Sequence, residues 1–195
     1  MSKKAPSTLI NMFLSLTVIA VVAAAVLALV SGVTAEPIRD AEKQKTEKAL
    51  KEVLPEFASS QTDTVAVGEC KFPCTKVFDQ NNSLVGVAVV ATSENGFGGD
   101  LGVMFGFTPE GDINGYKVLN TSETPGLGAK AAEWFQKDGK GCVIGKNPKS
   151  ANMTVKKDGG EVDAISGSTI TSRAFCDAIA LAYSAFESVT KGGNE

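Results

Sequence analysis

Hydroxyl-bearing residues crowd one short stretch, Asp163-Ala164-Ile165-Ser166-Gly167-Ser168-Thr169-Ile170-Thr171-Ser172. They stand where a loop gives way to a helical pattern. Helix N-termini carry unsatisfied N–H groups and the positive end of the helix dipole, a setting that suits a phosphate. Gly167 removes side-chain bulk beside Ser168 and Thr169. Two readings fit: a plain Ser/Thr-rich helix start, with Ser166 and Ser168 offering cap oxygens, or a phosphate-bearing site. A second stretch is Ser122-Glu123-Thr124-Pro125-Gly126-Leu127-Gly128-Ala129-Lys130. Pro125 fixes one backbone angle, and the two glycines allow positive φ or close approach. Leu127 between them either tucks into the core of a strand-to-helix turn or waits on a loop for an apolar cover, such as a planar aromatic ligand.

Composition removes several other chemistries. The 195 residues include no His, which excludes Ser-His-Asp and Cys-His nucleophile systems and His-ligated zinc or haem in their usual forms. Net charge is only −3 and no basic stripe is visible, so nucleic acid is not an expected partner. No Gly-x-Gly-x-x-Gly run opens a helix after a strand, which argues against a dinucleotide-binding βαβ unit. Redox or catalytic chemistry must then come from another group or a bound cofactor.

The elements that position the two stretches follow from periodicity. Leu9 to Val30 is an uncharged apolar run, about 33 Å as a helix, enough for a hydrocarbon core of about 30 Å. Lys3 and Lys4 precede it while Glu36, Arg39 and Asp40 follow, so the positive-inside bias puts the N-terminus in the cytoplasm and the rest outside. A cleaved signal peptide, with Val33-Thr34-Ala35 as its cleavage site, is the alternative; the long apolar run favours a retained anchor. Either way the remainder is exported. The expected layout is a cytoplasmic start at 1–8, a transmembrane helix at 9–30, a connecting helix at 36–54 ended by Pro55, and an exported domain at 55–195.

Within that domain, Lys76–Asp79, Leu84–Thr92, Asp100–Thr108 and Ile113–Asn120 read as strands separated by tight turns, Asn95-Gly96 among them. Tight turns between short strands argue for an antiparallel sheet. Ala131 to Gln136 is helix-like. A last helix starts near Ser168 and runs towards Thr190, with Ile170, Ala174, Ile179, Leu181, Ala182 and Phe186 on its apolar face and Gly192 and Gly193 beyond it. The fold class is α+β. Cys70, Cys74, Cys142 and Cys176 are an even number in an exported domain, so disulfides are permitted. Cys70–Cys74 and Cys142–Cys176 are the pairings considered, against four separate thiols in a reducing setting.

Both stretches resemble the paired signatures of the FMN-binding domain in RnfG, a component of the Rnf electron-transport complex. The same domain occurs in NqrC of the sodium-pumping NADH:quinone reductase. The family's flavinylation pattern is Asp, two variable residues, Ser/Thr, Gly, Ala, then Thr or Ser. Asp163, Ser166, Gly167 and Thr169 match it, and Ser168 stands where Ala is usual. Glu123-Thr124-Pro125-Gly126-Leu127-Gly128 matches the other segment without departure. The resemblance covers nearly the whole chain, and its short length favours the RnfG type.

The resemblance implies FMN esterified through its phosphate to Thr169 by a flavin transferase that uses FAD, with Asp163 part of what the transferase recognises. It also places Ser166, Gly167, Ser168 and Thr171 near the phosphate, and Glu123, Thr124, Gly126, Leu127 and Gly128 against the ring. Partners would be the other membrane subunits of a complex that couples ferredoxin-to-NAD electron flow to ion movement. The different-class alternative is an exported, membrane-anchored binding or scaffold protein without flavin.

Overall fold

The structure, a computed structural model, describes residues 8–68 and 70–191. The expected cytoplasmic residues 1–7, with Lys3 and Lys4, and Gly192 and Gly193 after the last helix lie outside them. The chain divides into two units, Met1–Gln44 and Lys45–Glu195.

The first helix, α1, spans Leu9–Val53 and contributes to both units. Residues 31–35, between the two helices read from the sequence, are helical as well. Thr34 shows why: its Oγ1 donates to the Val30 carbonyl at 2.8 Å, so the hydroxyl is satisfied without leaving the helix. Pro37 sits inside α1, where its ring removes one backbone donor. In the first unit the large apolar side chains, Leu9, Phe13, Leu16, Ile19 and Leu27 among them, are exposed. By length and composition this helix can cross a membrane. It ends at Val53, as expected before Pro55, because the residue preceding a proline is pushed out of the helical region.

The second unit is built on a five-stranded antiparallel sheet in sequence order: β1 Ser59–Val67, β2 Cys70–Phe78, β3 Leu84–Ser93, β4 Leu101–Phe107 and β5 Ile113–Thr121. The α+β expectation holds. β4 is buried along its whole length. One face carries Val103, Phe105 and Phe107 against the final helix, α3, Thr169–Lys191. The other carries Met104 against Ala49, Val53 and Leu54. On that second face Gly106 and Gly115, paired across β4 and β5, admit the backbone of Val53. A Cβ on Gly115 would lie 3.0 Å from Val53 Cα, and one on Gly106 would fall on the Val53 carbonyl. Asn114 Nδ2 donates to that same carbonyl at 2.8 Å.

β1, and the first half of β2, were not anticipated. Their register runs from Ser59 opposite Phe78 to Val67 opposite Cys70. This corrects the local bridge considered for Cys70 and Cys74. Both lie in β2, where four residues of extended chain span about 13 Å, far beyond the roughly 4.4–6.8 Å between Cα atoms that a disulfide needs. All four cysteines are free thiols, so the Cys142–Cys176 pairing is not formed either. Burial pushes Cys74 up to about 11 and Cys176 up to about 12, which keeps both as unreactive thiols at neutral pH.

α3 buries Ala174, Ile179, Ala182 and Phe186 as its periodicity predicts. Ile170 departs from that face and is exposed. Its place is in the site described next.

Candidate functional site

Two turns of the same kind bring the chemical stretches together. In Thr124-Pro125-Gly126-Leu127 the Leu127 N–H donates to the Thr124 carbonyl at 3.1 Å, and Gly126 has φ +77°. Proline second and a positive-φ glycine third make a type II turn. In Ile165-Ser166-Gly167-Ser168 the Ser168 N–H donates to the Ile165 carbonyl at 3.0 Å, and Gly167 has φ +80°. The first turn leads into a 3-10 turn at Gly128–Lys130 and the short helix α2, Ala131–Trp134; the second leads into α3. They touch: a Cβ on Gly167 would lie 3.4 Å from Leu127 Cδ2.

Hydrogen bonds hold the second turn from below. Ser172 Oγ accepts the Ile165 N–H at 2.9 Å and donates to the Ser168 carbonyl at 2.9 Å, wholly buried. The short helix that follows the first turn is held by Tyr116. Tyr116 O–H donates to the Ala131 carbonyl at 2.7 Å and accepts the Phe135 N–H at 3.2 Å, and burial raises its pKa well above the ordinary value.

Between the turns lies a cleft of about 420 Å³, within the roughly 300–1,000 Å³ of small-molecule sites. Glu123, Thr124, Leu127 and Gly128 line one side and Gly167, Ser168, Thr169 and Thr171 the other. Those eight sequence-predicted residues are brought together. Gly126 and Ser166 shape the turns without lining the cleft, and Asp163 stands back, its carboxylate paired with Lys156 at 2.8 Å. Trp134 Nε1 donates to the Asp163 carbonyl at 2.8 Å.

Three lining residues were missed by sequence reasoning: Phe97, Lys157 and, as a cleft residue, Ile170. Phe97 had a signal, a large aromatic stranded among glycines in Gly96-Phe97-Gly98-Gly99. Its N–H donates to Glu123 Oε1 at 2.8 Å, which joins this loop to the first turn. Among described residues outside α1, the exposed large apolar side chains are Phe97 (69% exposed), Leu127 (45%) and Ile170 (47%). All three line this cleft. Leu127 is therefore not tucked into the core. Convergent exposed apolar residues mark a surface that something covers.

The polar side of the cleft fits a phosphate. It contains the first turn of a 23-residue helix, the half-buried Thr169 hydroxyl, and Lys157 Nζ donating to Thr169 Oγ1 at 3.3 Å. Thr171 Oγ1 is buried and has no hydrogen-bond partner among the described residues. An unpaired buried hydroxyl is costly, by about 1–3 kcal/mol, unless a ligand satisfies it. Thr171→Val is accordingly expected to raise the stability of the unloaded domain by about 1 kcal/mol in urea denaturation, since it swaps the hydroxyl for a methyl of similar shape. A loss of stability would mean that the hydroxyl already has a partner in solution.

The comparisons with known proteins agree with this geometry. The family model of the FMN-binding domain matches residues 96–184, which hold every residue lining the cleft. Fold and site thus define an FMN-binding domain. The chain is 31% identical over 189 residues, 91% of each protein, to the G subunit of the Na(+)-translocating ferredoxin:NAD(+) oxidoreductase complex of Acetobacterium woodii. It is 33% identical over 175 residues, 87% of this chain and 89% of the relative, to the G subunit of the ion-translocating oxidoreductase complex of Methanosarcina acetivorans. Within the FMN-binding class, the chain belongs to the RnfG family, the G subunits of ion-translocating, Rnf-type oxidoreductase complexes. A crystal structure of Shewanella oneidensis NqrC is also similar, with a TM-score of 0.45 and 20% identity over 72% of this chain and 71% of that one.

Proposed function

We propose that this protein is an electron-carrying subunit of an Rnf-type ferredoxin:NAD oxidoreductase complex, with FMN joined through its phosphate to Thr169. One observation carries the reading: the exposed apolar side chains of the described domain converge on the cleft that also holds the Thr169 hydroxyl at a helix N-terminus. One end of that cleft suits an aromatic ring system and the other a phosphate, the two ends of FMN.

The bound flavin would supply the redox chemistry, accepting and releasing electrons. The chain's own residues do the rest. Thr169 Oγ provides the attachment atom, and the N–H groups of the first turn of α3 face the phosphate charge. Phe97, Leu127 and Ile170 cover apolar surface and exclude water from it. Glu123 ties Phe97 to the first turn and so fixes the width of the cleft. Covalent attachment suits an exported site, which has no cytoplasmic FMN pool to draw on. In this reading α1 is a single-pass anchor in the cytoplasmic membrane, with its N-terminus inside and the domain outside. The partners are the other membrane subunits, together with a flavin transferase that uses FAD during maturation.

The test is direct. The full chain is co-expressed with an active flavin transferase, denatured, run on a gel and viewed under ultraviolet light. A fluorescent band whose label maps by peptide mass spectrometry to Thr169, and which is absent from Thr169→Ala, is the expected result. A wild-type chain with no fluorescence would sink the flavin-carrier reading in favour of an unmodified binding protein. Full labelling of Thr169→Ala would move the attachment point elsewhere.

A further inference from the structure

The segment from Thr154 to Asp163 is almost wholly outside both sequence signatures, yet it delivers a cation to the proposed acceptor. Val155 and Val162 form a parallel bridge, and the Lys156 N–H donates to the Val162 carbonyl at 2.9 Å. A 3-10 turn at Lys156–Asp158 follows, closed by Gly159 at φ +86°. Two ion pairs flank its middle residue. Lys156 Nζ meets Asp163 Oδ2 at 2.8 Å. Asp158 takes both arms of Arg173, at 2.7 and 2.8 Å, and Arg173 sits one helical turn beyond Thr169 on α3. Those hydrogen bonds hold the Asp158 carboxyl below its ordinary value.

Each flanking charge is thereby neutralised, and the turn is pinned to α3 on one side and to the stretch before it on the other. Lys157, between them, has no carboxylate partner among the described residues. Its Nζ instead donates to Thr169 Oγ1 at 3.3 Å and lines the cleft. A second feature points to an anion at the same place, the buried and unpartnered Thr171 Oγ1 in the same helical turn.

We infer that Lys157 positions the Thr169 hydroxyl for phosphoryl transfer and then serves as the counter-ion of the phosphodiester. This rests on Thr169 being the acceptor. In the transfer, the Thr169 Oγ–P bond forms to the FMN phosphorus of FAD as the bond from that phosphorus to the bridging oxygen breaks. AMP leaves with that oxygen, and the hydroxyl proton departs to the transferase or solvent. An ammonium donating to Oγ1 stabilises the alkoxide character of that oxygen as its proton departs, and it stands beside the phosphoryl oxygens on which negative charge is carried during the transfer. Afterwards the phosphodiester carries one negative charge, and Lys157 is the cation already in reach. Asp163 acquires a physical role as well: through Lys156 it orders the turn that carries Lys157, and so acts at one remove from the acceptor.

The test uses the full chain with purified flavin transferase and FAD. Initial rates of covalent FMN incorporation are measured for wild type, Lys157→Gln, Lys157→Arg and Thr169→Ala. Lys157 is exposed, so Lys157→Gln should leave the melting temperature unchanged. Its rate at saturating carrier is expected to fall about ten-fold or more, the size of one charge-assisted hydrogen bond, with KM for the carrier changed less. Arginine should restore most of the rate. The phosphorus-31 resonance of the loaded wild type should move in loaded Lys157→Gln and return towards its place in Lys157→Arg. A wild-type rate and an unmoved resonance in Lys157→Gln, with Thr169→Ala unlabelled, would overturn the role of Lys157 and leave the acceptor assignment standing. Label persisting in Thr169→Ala would overturn the acceptor, and Lys157 with it.

Discussion

Phe175→Ala is expected to destabilise the domain by about 3–5 kcal/mol, the range for removing a fully buried aromatic side chain. Phe175 has no exposed surface and stacks on Phe135 with ring centroids 4.1 Å apart and planes 10° from parallel. It also meets Tyr116 edge-on at 4.8 Å and Phe105 at 5.5 Å. Each such pair contributes about 0.5–1.5 kcal/mol beyond its buried area, so the loss exceeds that of burial alone. The site should suffer with the core. Phe135 follows the first turn and Phe175 lies six residues after Thr169, so this ring stack joins the two halves of the cleft. Urea denaturation should show a lower midpoint with an unchanged slope. A loss under about 1 kcal/mol would mean that the neighbouring rings close the gap.

Gly128→Ala should have the largest effect on loading after loss of Thr169 itself. A Cβ there would lie 2.7 Å from Thr171 Oγ1 and 2.9 Å from Glu123 Cβ, and would overlap Glu123 Oε2. Those neighbours cannot yield cheaply. Glu123 is buried and bonded to the Phe97 N–H, so displacing it opens the loop that walls the cleft. Thr171 is fixed in the first turn of α3. Overpacking of this kind costs about 1–3 kcal/mol. In-gel flavin fluorescence of Gly128→Ala is therefore expected near background, with a melting temperature a few degrees lower. Full loading at an unchanged melting temperature would show that the 3-10 turn after Leu127 shifts freely.

The sequence revealed the parts of this fold that have a strong period or distinctive turn chemistry. β3, β4, β5 and α3 each carry a strongly apolar run or a repeating apolar face, and Pro55 ends α1 where expected. β1 was invisible for a physical reason. Ser59-Ser60-Gln61-Thr62-Asp63-Thr64 lies at the sheet edge and is exposed throughout, so no burial pattern marks it. The first half of β2 pairs with it and carries Cys70-Lys71-Phe72-Pro73, where proline lowers the strand signal. In the site, Thr169, Glu123 and Leu127 were found through their motifs. Phe97 and Lys157 belong to neither motif. They reach the cleft through the Glu123 bond to the loop and the paired charges on the turn after Val155, which are tertiary contacts.

The order of the sheet has a consequence for how the molecule assembles. Every strand after the first pairs with its immediate predecessor, so no contact within the sheet must wait for a distant part of the chain. Such a meander closes short loops first, the cheap ones in chain entropy, and domains rich in local contacts fold quickly. α3 follows all five strands in the chain and covers the sheet they make. Thr169, at its first turn, gains its surroundings with that cover. On the proposed reading of Thr169, a flavin transferase would meet its acceptor hydroxyl in place only on a chain whose sheet is already covered.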